Sequence, residues 1–405
     1  MHKVLFVVYG GGHARLVRPV IEQLLHADEN VEVICLALTT AVREFTGLYN
    51  KRFEILGYKD FFGEDSEALV YGRDLVQKMT GVFDFDESIA YLGRNFLELV
   101  KRSCSVQEAA EIYAQGGRQV FLPIESMKEV ISRVKPDVVV TTNSPRSEKA
   151  ALIAARSLSV PSVSIIDMFS FRCEDWLIDF ADTVCVFDTS VAERLRFLGR
   201  QADIRITGNP AFDVLVQKFE KHKNALAQLK INSPFTVLWA SQQEPKYVYE
   251  LKAKGNIGLP SAVESELVKI FSGKPDWKLI VRNHPNEEPR IYPDFVEISS
   301  QDQPLDDLLA RVHVIVTLTS TVGLQGRIMG CELITIDGSA FTATVPFAKI
   351  GYSIGLSSPE KLTGELERLA SVVNKQPLAN PPYAIENAAE RVAQVILSNL
   401  IFIRD

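Results

Sequence analysis

The chain has 405 residues, which is enough for two domains of about 150–200 residues each. Its net charge of −7, with no block of Lys and Arg, argues against nucleic acid as the main partner. The composition, 46% hydrophobic and 23% charged, is that of a globular protein, and no apolar run reaches the ~18–20 residues of a membrane-spanning helix.

The N-terminus and the cysteines predict a cytoplasmic location. The sequence MHKVLFVVYGGG begins as a strand and has no signal-peptide cleavage pattern. The five cysteines are scattered, odd in number and form no Cys-x-x-Cys pair. We therefore expect reduced thiols and no structural zinc.

The chain opens with a strand and a glycine-rich turn. Residues 3–9, KVLFVVY, form a continuous apolar run, which is typical of a strand buried on both faces of a parallel sheet. Three glycines and His13 follow, then an amphipathic helix over 14–26 and a second strand, VEVICLAL. Such a turn lets a ligand approach the backbone closely. It is not the Gly-x-Gly-x-x-Gly dinucleotide fingerprint, because the glycine spacing differs.

Residues 57–120 lose this alternation and have a mostly helical pattern with many aromatic side chains. We interpret them as an insertion in the first domain that could bind the acceptor. The alternative is a set of helices that pack against a sheet edge, since apolar stripes at helical spacing usually belong to a core. Peripheral membrane contact through this segment stays open, although no basic amphipathic helix in it requires such contact.

Strands and helices alternate again after Pro136, which predicts parallel order. The strand DVVVTT, the helix PRSEKAALIAARSLS and the strands PSVSII and TVCVFD complete a first domain that we place at 1–212. The second half repeats the pattern: the strand FTVLWAS ends at Ser241, and WKLIVRNHP ends at 282–284. We place a second domain at 213–383 and a C-terminal helix at 384–405, which can pack back on the first domain.

The stretch 317–337 carries the clearest sign of a ligand. A strand leads into a hydroxyl-rich turn with Thr319, Ser320, Thr321 and Gly323, and a short helix follows. The first turn of a helix offers unpaired backbone N–H groups and the positive end of the helix dipole, which favours a phosphate. Doubly wound sheets bind ligands at the carboxyl ends of their strands. Five segments are predicted to lie at such ends: 10–13, 142–146, 241, 282–284 and 319–323.

Four segments in consistent order resemble the GT-B superfamily, and most closely its UDP-N-acetylglucosamine 2-epimerase branch. They are ITGNPAFD, RNHPN, STVGLQ and LANPPYAIENAAERV, and the resemblance covers most of the chain, most strongly from Ile206 onward. It implies an α/β fold of two doubly wound Rossmann-like domains that face each other across a cleft. In such a fold the second domain binds a nucleotide-sugar donor and the first domain contacts the acceptor.

The chain departs from the epimerases at several of their acids and histidines. Gly11, Gly12 and His13 replace an Arg-Pro-Glu, and ASQQE replaces a His-Arg-Arg-Glu. Gly326 and Arg327 replace two glutamates. The phosphate turn is kept while the epimerase acid and base set is largely missing, which favours glycosyl transfer on the same class of donor. The Gly-Gly-His turn also resembles that of inverting GT-B transferases.

Two residues are candidate catalytic bases. His13 could take the proton of the acceptor hydroxyl or contact the donor phosphate, because imidazole titrates near neutral pH; the alternative is a polar residue at a helix start. Asp167, at the end of PSVSIID, is the rival base, or else a cap of the next turn. We expect Glu148 to be an acid on a helix surface, with a role in the cleft as the alternative.

The remaining site predictions are binding roles. Asn143 and Arg146 are candidate acceptor contacts, although an arginine on a helix is usually solvated. Arg282 and His284 would neutralise the diphosphate as the sugar leaves. The candidate donor contacts share a position at a strand end or helix start, and turn or N-cap roles are their alternatives: Gly11, Gly12, Ser241, Gln242, Arg282, His284, Thr319, Ser320, Thr321, Gly323 and Gln325.

We therefore predict a glycosyltransferase that moves a sugar from a nucleotide-sugar donor to a glycan or lipid-linked acceptor in bacterial-type surface polysaccharide synthesis. The alternatives are a UDP-N-acetylglucosamine 2-epimerase-like enzyme and a non-catalytic nucleotide-sugar-binding protein. We expect no cofactor and no metal ion, since the histidines outside the predicted site are isolated: His2, His26, His222 and His313. A homodimer is a further open alternative.

Overall fold

The computed structural model describes residues 1–77, 84–166, 180–197, 202–248, 251, 253–284, 287, 290–372, 381 and 383–401. The chain divides into two compact units. The first consists of residues 1–213 and 387–405, and the second of residues 214–386. Each unit has its own parallel sheet covered by helices, as the alternating strand and helix pattern predicts.

The first unit is built on a seven-stranded sheet in which every neighbouring pair is parallel. Its strands are β1 (His2–Tyr9), β2 (Val31–Leu38), β3 (Phe53–Leu56), β4 (Val138–Thr141), β5 (Ser162–Ile165), β6 (Thr183–Val186) and β7 (Asp203–Ile206). Their order across the sheet is β3-β2-β1-β4-β5-β6-β7. The order reverses direction between β1 and β4, and a doubly wound sheet binds ligands at the carboxyl ends of the two strands at such a point.

Helices cover both faces of this sheet. They are α1 (Gly11–Ala27), α2 (Ala41–Glu44), α3 (Tyr58–Phe62), α4 (Ser66–Val76), α5 (Phe85–Arg102), α6 (Val106–Gly116), α7 (Ile124–Val134), α8 (Ser147–Ser157) and α9 (Thr189–Phe197). On one face Val4 and Phe6 of β1 join a core with Val20 of α1, and on the other Leu5 and Val7 join a second core. All of these β1 side chains are fully buried, which explains why β1 is apolar at successive positions.

In segment 57–120, the helices α3 to α6 pack on the sheet. Tyr58, Phe62, Tyr91 and Phe96 are buried and share a core cluster with Leu5 of β1. The structure thus favours the second interpretation of this segment, in which its aromatic side chains stabilise the fold. Across the part of the chain that the structure describes, no helix combines the length and the apolar character needed to cross a bilayer.

The end of the chain also belongs to the first unit. The chain leaves the first unit at Asp213, where helix α10 (Asp213–Ile231) begins. It returns to that unit at Asn387, and the final helix, α15 (Ala388–Ile401), begins at the next residue. Ala389, Val392 and Ile396 of this final helix share a core cluster with Val20 and Ile21 of α1. The C-terminal helix therefore covers the same sheet face as α1.

The second unit contains a six-stranded parallel sheet and a short antiparallel pair. The strands are β8 (Phe235–Ala240), β9 (Tyr247–Val248), β10 (Ala253–Lys254), β11 (Trp277–Arg282), β12 (Val296–Ile298), β13 (Val314–Thr317), β14 (Glu332–Ile336) and β15 (Ile354–Leu356). The helices are α11 (Leu259–Ser272), α12 (Leu305–Ala310), α13 (Thr321–Ile328) and α14 (Leu362–Val372). The sheet order β12-β11-β8-β13-β14-β15 reverses between β8 and β13.

The cysteines that the structure describes form no disulfide. Cys35, Cys185 and Cys331 are buried free thiols, and Cys104 is an exposed one. Burial raises the pKa of all three buried thiols, so they stay protonated at neutral pH. Cys173 lies outside the described residues.

Candidate functional site

His13 stands in the first turn of helix α1, at the carboxyl end of β1. The helix begins at Gly11, three residues before its predicted start. Gly10 has a φ of 87°, a conformation that glycine adopts at no steric cost, and this allows the sharp turn from strand into helix. The backbone N–H of Gly11 donates to Thr40 Oγ1, 3.1 Å away, while a Cβ on Gly12 would meet no atom within 4 Å. Gly12 thus leaves open space beside His13.

Glu148 is the buried partner of His13. It lies in the first turn of α8, which follows β4 on the other side of the sheet reversal, and it is 0% exposed. Its Oε1 lies 3.1 Å from His13 Nδ1 and accepts a 2.8 Å bond from the Tyr9 backbone N–H. Its Oε2 accepts a 2.6 Å bond from Thr142 Oγ1 and a 2.7 Å bond from the Ser144 backbone N–H. The expectation that Glu148 is a surface acid is therefore wrong.

These contacts assign the protonation of the His13 ring. Thr142 Oγ1 lies 2.6 Å from His13 Nδ1, but its single hydrogen is donated to Glu148, so it acts as an acceptor towards the imidazole. A carboxylate also only accepts, and Nδ1 must therefore carry the hydrogen. In the neutral ring this leaves Nε2 as the nitrogen that can take up a proton.

The carboxyl group of Glu148 remains ionised despite its burial. Desolvation alone would raise its pKa. The charge of His13 and the hydrogen bonds from His13, Thr142 and Ser144 outweigh that effect, so the pKa of Glu148 lies below its ordinary value. An imidazole held against such a carboxylate has the arrangement of an oriented general base.

The loop between β4 and α8 contains the two predicted acceptor contacts. Arg146 lies with its guanidinium carbon 4.5 Å from the centre of the Tyr9 ring. Asn143 is half-buried in the same loop, one residue after Thr142. Tyr9, Thr142 and Glu148 connect this loop to His13 through the hydrogen bonds given above. The structure thus brings the predicted base and the two predicted acceptor contacts to one sheet edge, although their roles stay predictions.

Asp167, the rival catalytic base, lies outside the described residues. Its assignment stays a prediction.

In the second unit, Gln242 and Thr319 join the ends of β8 and β13. The Gln242 side-chain amide accepts a 2.9 Å bond from the Thr319 backbone N–H and donates a 3.0 Å bond to Thr319 Oγ1. Thr317 adds a further link, because its hydroxyl donates to the Ala240 carbonyl over 3.0 Å. These two predicted donor contacts therefore meet where the order of the second sheet reverses.

The turn after β13 has the cap expected of its hydroxyls. Ser320 is the N-cap of α13, and its Oγ accepts from the Val322 backbone N–H at 3.3 Å. Thr321 begins the helix, and Gln325 lies half-buried one turn later. Gly323 is needed for packing, since a Cβ there would lie 2.7 Å from the Leu333 side chain. The capping and packing roles are observed, while phosphate contacts for this turn remain predictions.

Ser241 and His284 are both held by Glu287. The Ser241 hydroxyl donates to Glu287 Oε1 over 2.9 Å, and the His284 backbone N–H donates to Oε2 over 2.7 Å. Arg290 completes this cluster with a 2.7 Å ion pair to the same carboxylate, whose side chain is only 1% exposed. The His284 residue itself is exposed. Glu287, the acid that joins these two predicted contacts, was not among the predicted site residues.

Arg282 is engaged by the loop that follows β12. Its guanidinium donates to Ser299 Oγ and to the backbone carbonyls of Ser300, Gln301 and Gln303, over 3.0 to 3.3 Å. Burial lowers the pKa of Arg282. These bonds give the side chain a structural role, and its predicted contact with a diphosphate is untested.

The described residues contain no group of three or more His, Cys, Asp or Glu side chains placed to hold a metal ion. One Asp-x-Asp sequence occurs, at Asp84 to Asp86. Asp84 caps α5 through the Glu87 backbone N–H, and its carboxylate forms a 2.7 Å ion pair with Lys59. The Asp84 carboxylate is thus used within the fold.

Comparisons with known proteins give matches in structure but not in sequence: no family model and no curated protein matches the chain. UDP-GlcNAc 2-epimerase from Neisseria meningitidis, solved with UDP-GlcNAc bound, is similar with a TM-score of 0.58 and 14% identity, covering 98% of this chain and 100% of the other. MurG from Acinetobacter baumannii is similar with a TM-score of 0.59 and 14% identity, again covering 98% and 100%. The chain has the GT-B fold.

A third GT-B structure, the MnaA–UDP complex from S. aureus, is similar with a TM-score of 0.61 and 15% identity over 100% of this chain and 98% of the other. The GT-B architecture implied by ITGNPAFD, RNHPN, STVGLQ and LANPPYAIENAAERV is therefore confirmed, as is the doubly wound α/β class. TM-scores of 0.58 to 0.61 at 14–15% identity show the fold alone, and the chemistry of this chain has to be argued from its own residues.

Proposed function

We propose that this chain is an enzyme that acts on a nucleotide-sugar, and that it transfers the sugar to an acceptor hydroxyl. The observation that carries the proposal is the His13–Glu148 pair at the point where the first sheet reverses direction. A buried, ionised carboxylate that orients an imidazole suits proton abstraction from a hydroxyl group. The GT-B fold supports the nucleotide-sugar substrate, because the similar structures include complexes with UDP-GlcNAc and with UDP.

In this reaction His13 Nε2 takes the proton of the acceptor hydroxyl as its oxygen bonds to the anomeric carbon of the sugar. The bond from that carbon to the donor phosphate breaks, and its electron pair leaves with the nucleotide. Glu148 stabilises the imidazolium that results, since an opposite charge at 3.1 Å favours the protonated ring. In the second unit, the positive end of the α13 dipole is the candidate site for the donor phosphate.

An epimerase acting on a UDP-sugar is the second candidate, because UDP-GlcNAc 2-epimerases are prominent among the similar structures. The residues of this chain argue against the epimerase function. Gly11, Gly12 and His13 stand where the epimerase branch has Arg-Pro-Glu, and Gly326 and Arg327 stand where it has two glutamates. A non-catalytic nucleotide-sugar-binding protein is the third candidate.

One experiment separates the three candidates. The purified chain is first screened by thermal shift against UDP, CMP, GDP and CDP compounds, since a ligand that binds the folded state raises its melting temperature. It is then incubated with the matching nucleotide-sugar, with and without glycan or lipid-linked acceptor extracts, and nucleotide release is measured. Acceptor-dependent release is expected. Conversion of UDP-GlcNAc into ManNAc without an acceptor would instead establish the epimerase, and stabilisation without turnover would favour the binding protein.

A matched pair of histidine variants tests the assigned base. His13→Gln should abolish acceptor-dependent release. His26→Gln, an exposed position in the last turn of the same helix α1, should leave release unchanged. Equal activity of the two variants would remove His13 from the mechanism.

We also propose that transfer needs neither a cofactor nor a metal ion. Treatment with EDTA should leave the rate of nucleotide release unchanged. A complete loss of turnover that Mn²⁺ restores would show that a metal ion stabilises the leaving group.

A further inference from the structure

Arg146, just before α8, is a cation with which no carboxylate of the described residues forms an ion pair. The residue is half-buried, its Nε atom is fully buried, and Nε makes no hydrogen bond. The guanidinium carbon lies 4.5 Å from the centre of the Tyr9 ring. A guanidinium in this setting has five N–H donors in a planar fork, suited to the two oxygens of a carboxylate or a phosphate.

Other arginines of the same unit are satisfied by the fold. Arg94 forms ion pairs with Asp65 at 2.8 Å and with Glu129 at 3.1 Å. Arg133 also stacks on an aromatic ring, that of Phe61 at 5.8 Å, but it donates a 2.7 Å bond to the Phe61 carbonyl. The structure therefore distinguishes Arg146 from arginines whose role is to stabilise the first unit.

The loop that contains Arg146 also holds a buried hydroxyl without a hydrogen-bond partner, that of Ser144. The Ser144 hydroxyl is buried and forms no hydrogen bond with the described residues, while the buried Ser147 hydroxyl faces the Tyr91 hydroxyl. Ser144 is 4% exposed and Ser147 is 0% exposed. Buried polar groups are normally hydrogen-bonded, so the unpaired Ser144 hydroxyl and Arg146 Nε in one short loop point to a ligand or water that completes them.

The unpaired charge lies beside the assigned base. The Tyr9 backbone N–H donates to Glu148 Oε1 over 2.8 Å, and the ring of the same residue lies under Arg146. Glu148 itself is committed to His13, Thr142 and Ser144, and it forms no ion pair with Arg146. A partly buried cation without a counterion is costly, so an anionic ligand group would be stabilised there.

We propose that the acceptor carries an anionic group, a carboxylate or a phosphate, which Arg146 binds next to the hydroxyl that His13 deprotonates. The assignment of this ligand as the acceptor rests on the proposed transferase function. Two sources offer the same chemistry: an acidic sugar of a glycan, or the phosphate of a lipid-linked acceptor. Glycan and lipid phosphate are distinguished by the probes below.

Binding is measured by calorimetry on the full chain, in a buffer free of phosphate, with three probes. Methyl glucuronide carries the carboxylate, methyl glucoside is its uncharged counterpart, and glycerol 3-phosphate carries the phosphate. At least one anion should bind wild-type protein more tightly than methyl glucoside does. Arg146→Gln should weaken anion binding about ten- to a hundredfold, the usual effect of losing hydrogen bonds to a charged group. Arg133→Gln, which removes the same charge from another stacked arginine, should bind as wild type does.

Each outcome decides the inference. Tighter binding of glucuronide than of glycerol 3-phosphate would identify an acidic sugar, and the reverse a phosphate. If Arg146→Gln does not fold, Arg146→Lys provides the test: it keeps the charge, loses the planar fork, and should still weaken anion binding measurably. Equal affinity for the three probes, or unchanged affinity in the Arg146 variants, would overturn the inference.

Failure of this inference differs from failure of the proposed function. Transfer to uncharged acceptors, at a rate unchanged in Arg146→Gln, would overturn the anionic acceptor and leave the transferase intact. Anion binding that depends on Arg146, in a chain that releases no nucleotide with any acceptor, would instead refute the transferase and keep the anion site.

Discussion

Replacement of Glu148 by Gln tests whether this carboxylate acts through His13. The substitution keeps the side-chain shape and removes the charge. At the 3.1 Å separation of His13 and Glu148, two unit charges attract by about 5 kcal/mol at an effective dielectric constant of about 20. The His13 side chain is 23% exposed, so solvent screening reduces this to about 3 kcal/mol. We therefore expect the rate of transfer to fall about a hundredfold, with the protonated imidazole no longer stabilised.

The same substitution should also lower stability. Four donors converge on the two oxygens of Glu148, and a Gln amide would turn its NH₂ group towards two of them. An unsatisfied buried donor costs about 1–3 kcal/mol. Glu98→Gln is the matched control, because Glu98 is 5% exposed and accepts bonds from Glu125 and Ser126 at the start of α7, away from His13. We expect it to lower the melting temperature and to leave the transfer rate unchanged.

The assay is nucleotide release at saturating donor and acceptor, measured for wild type, Glu148→Gln, His13→Gln and the double variant. If Glu148 acts through His13, its replacement costs nothing further once His13 is gone. Rate losses that multiply in the double variant would refute this reasoning. So would a full wild-type rate in Glu148→Gln.

Three further predictions concern the second unit. His313 is 1% exposed and accepts a bond from the Thr236 backbone N–H, and burial lowers its pKa. The unfolded chain therefore binds more protons than the folded chain below pH ~6.5, and stability falls as the pH is lowered. Between pH 7.5 and pH 5.5, the urea midpoint of unfolding should fall less steeply in His313→Gln than in wild type. Gln242→Ala removes both bonds to Thr319, and should weaken nucleotide binding about tenfold in calorimetry. Gly326→Ala would place a Cβ 1.8 Å from the Ile315 side chain, and should cost about 1–3 kcal/mol in chemical unfolding.

Controls and contrary outcomes are available for each. An equal pH slope in wild type and His313→Gln would mean that other groups cause the acid sensitivity. Gln107→Ala, at an exposed helix position, should leave nucleotide affinity unchanged, and an equal loss in both glutamine variants would exclude a specific role for Gln242. Gly12→Ala meets no atom within 4 Å and should not destabilise the fold, so a comparable loss at Gly12 and Gly326 would contradict the packing argument.

Patterns along the chain predict the architecture well because they reflect burial. The apolar run of β1 predicts a strand covered on both faces, and the alternation of strands and helices predicts parallel order. The glycine-rich turn before His13 and the hydroxyl turn around Ser320 were also visible, since turn chemistry is local. The role of segment 57–120 was harder to predict, because an aromatic stripe has the same spacing whether it packs on a sheet or binds a ligand.

The partners of the site residues could not be predicted, because they come from distant parts of the chain. Glu148 follows His13 by 135 positions, and helical spacing alone made it a surface acid. Parallel strands β1 and β4 bring the two together, and their pairing register is a property of the fold. A useful signal was present in the sequence: Glu148 lies two residues after Arg146, at a helix start after a strand, where a carboxylate is favoured by the helix dipole.

Asp213 gives the chain an architectural property of its own. Its carboxylate accepts bonds from the Ala388 and Ala389 backbone N–H groups, each over 2.8 Å, so the exit from the first unit and the return to it are adjacent. Residues 214–386 are in this sense a cassette inserted at one point of a continuous first domain. A linker of a few residues should be able to replace the cassette, because chain ends that already lie together need little loop-closure entropy. We therefore expect the first unit to fold with such a linker in place of residues 214–386.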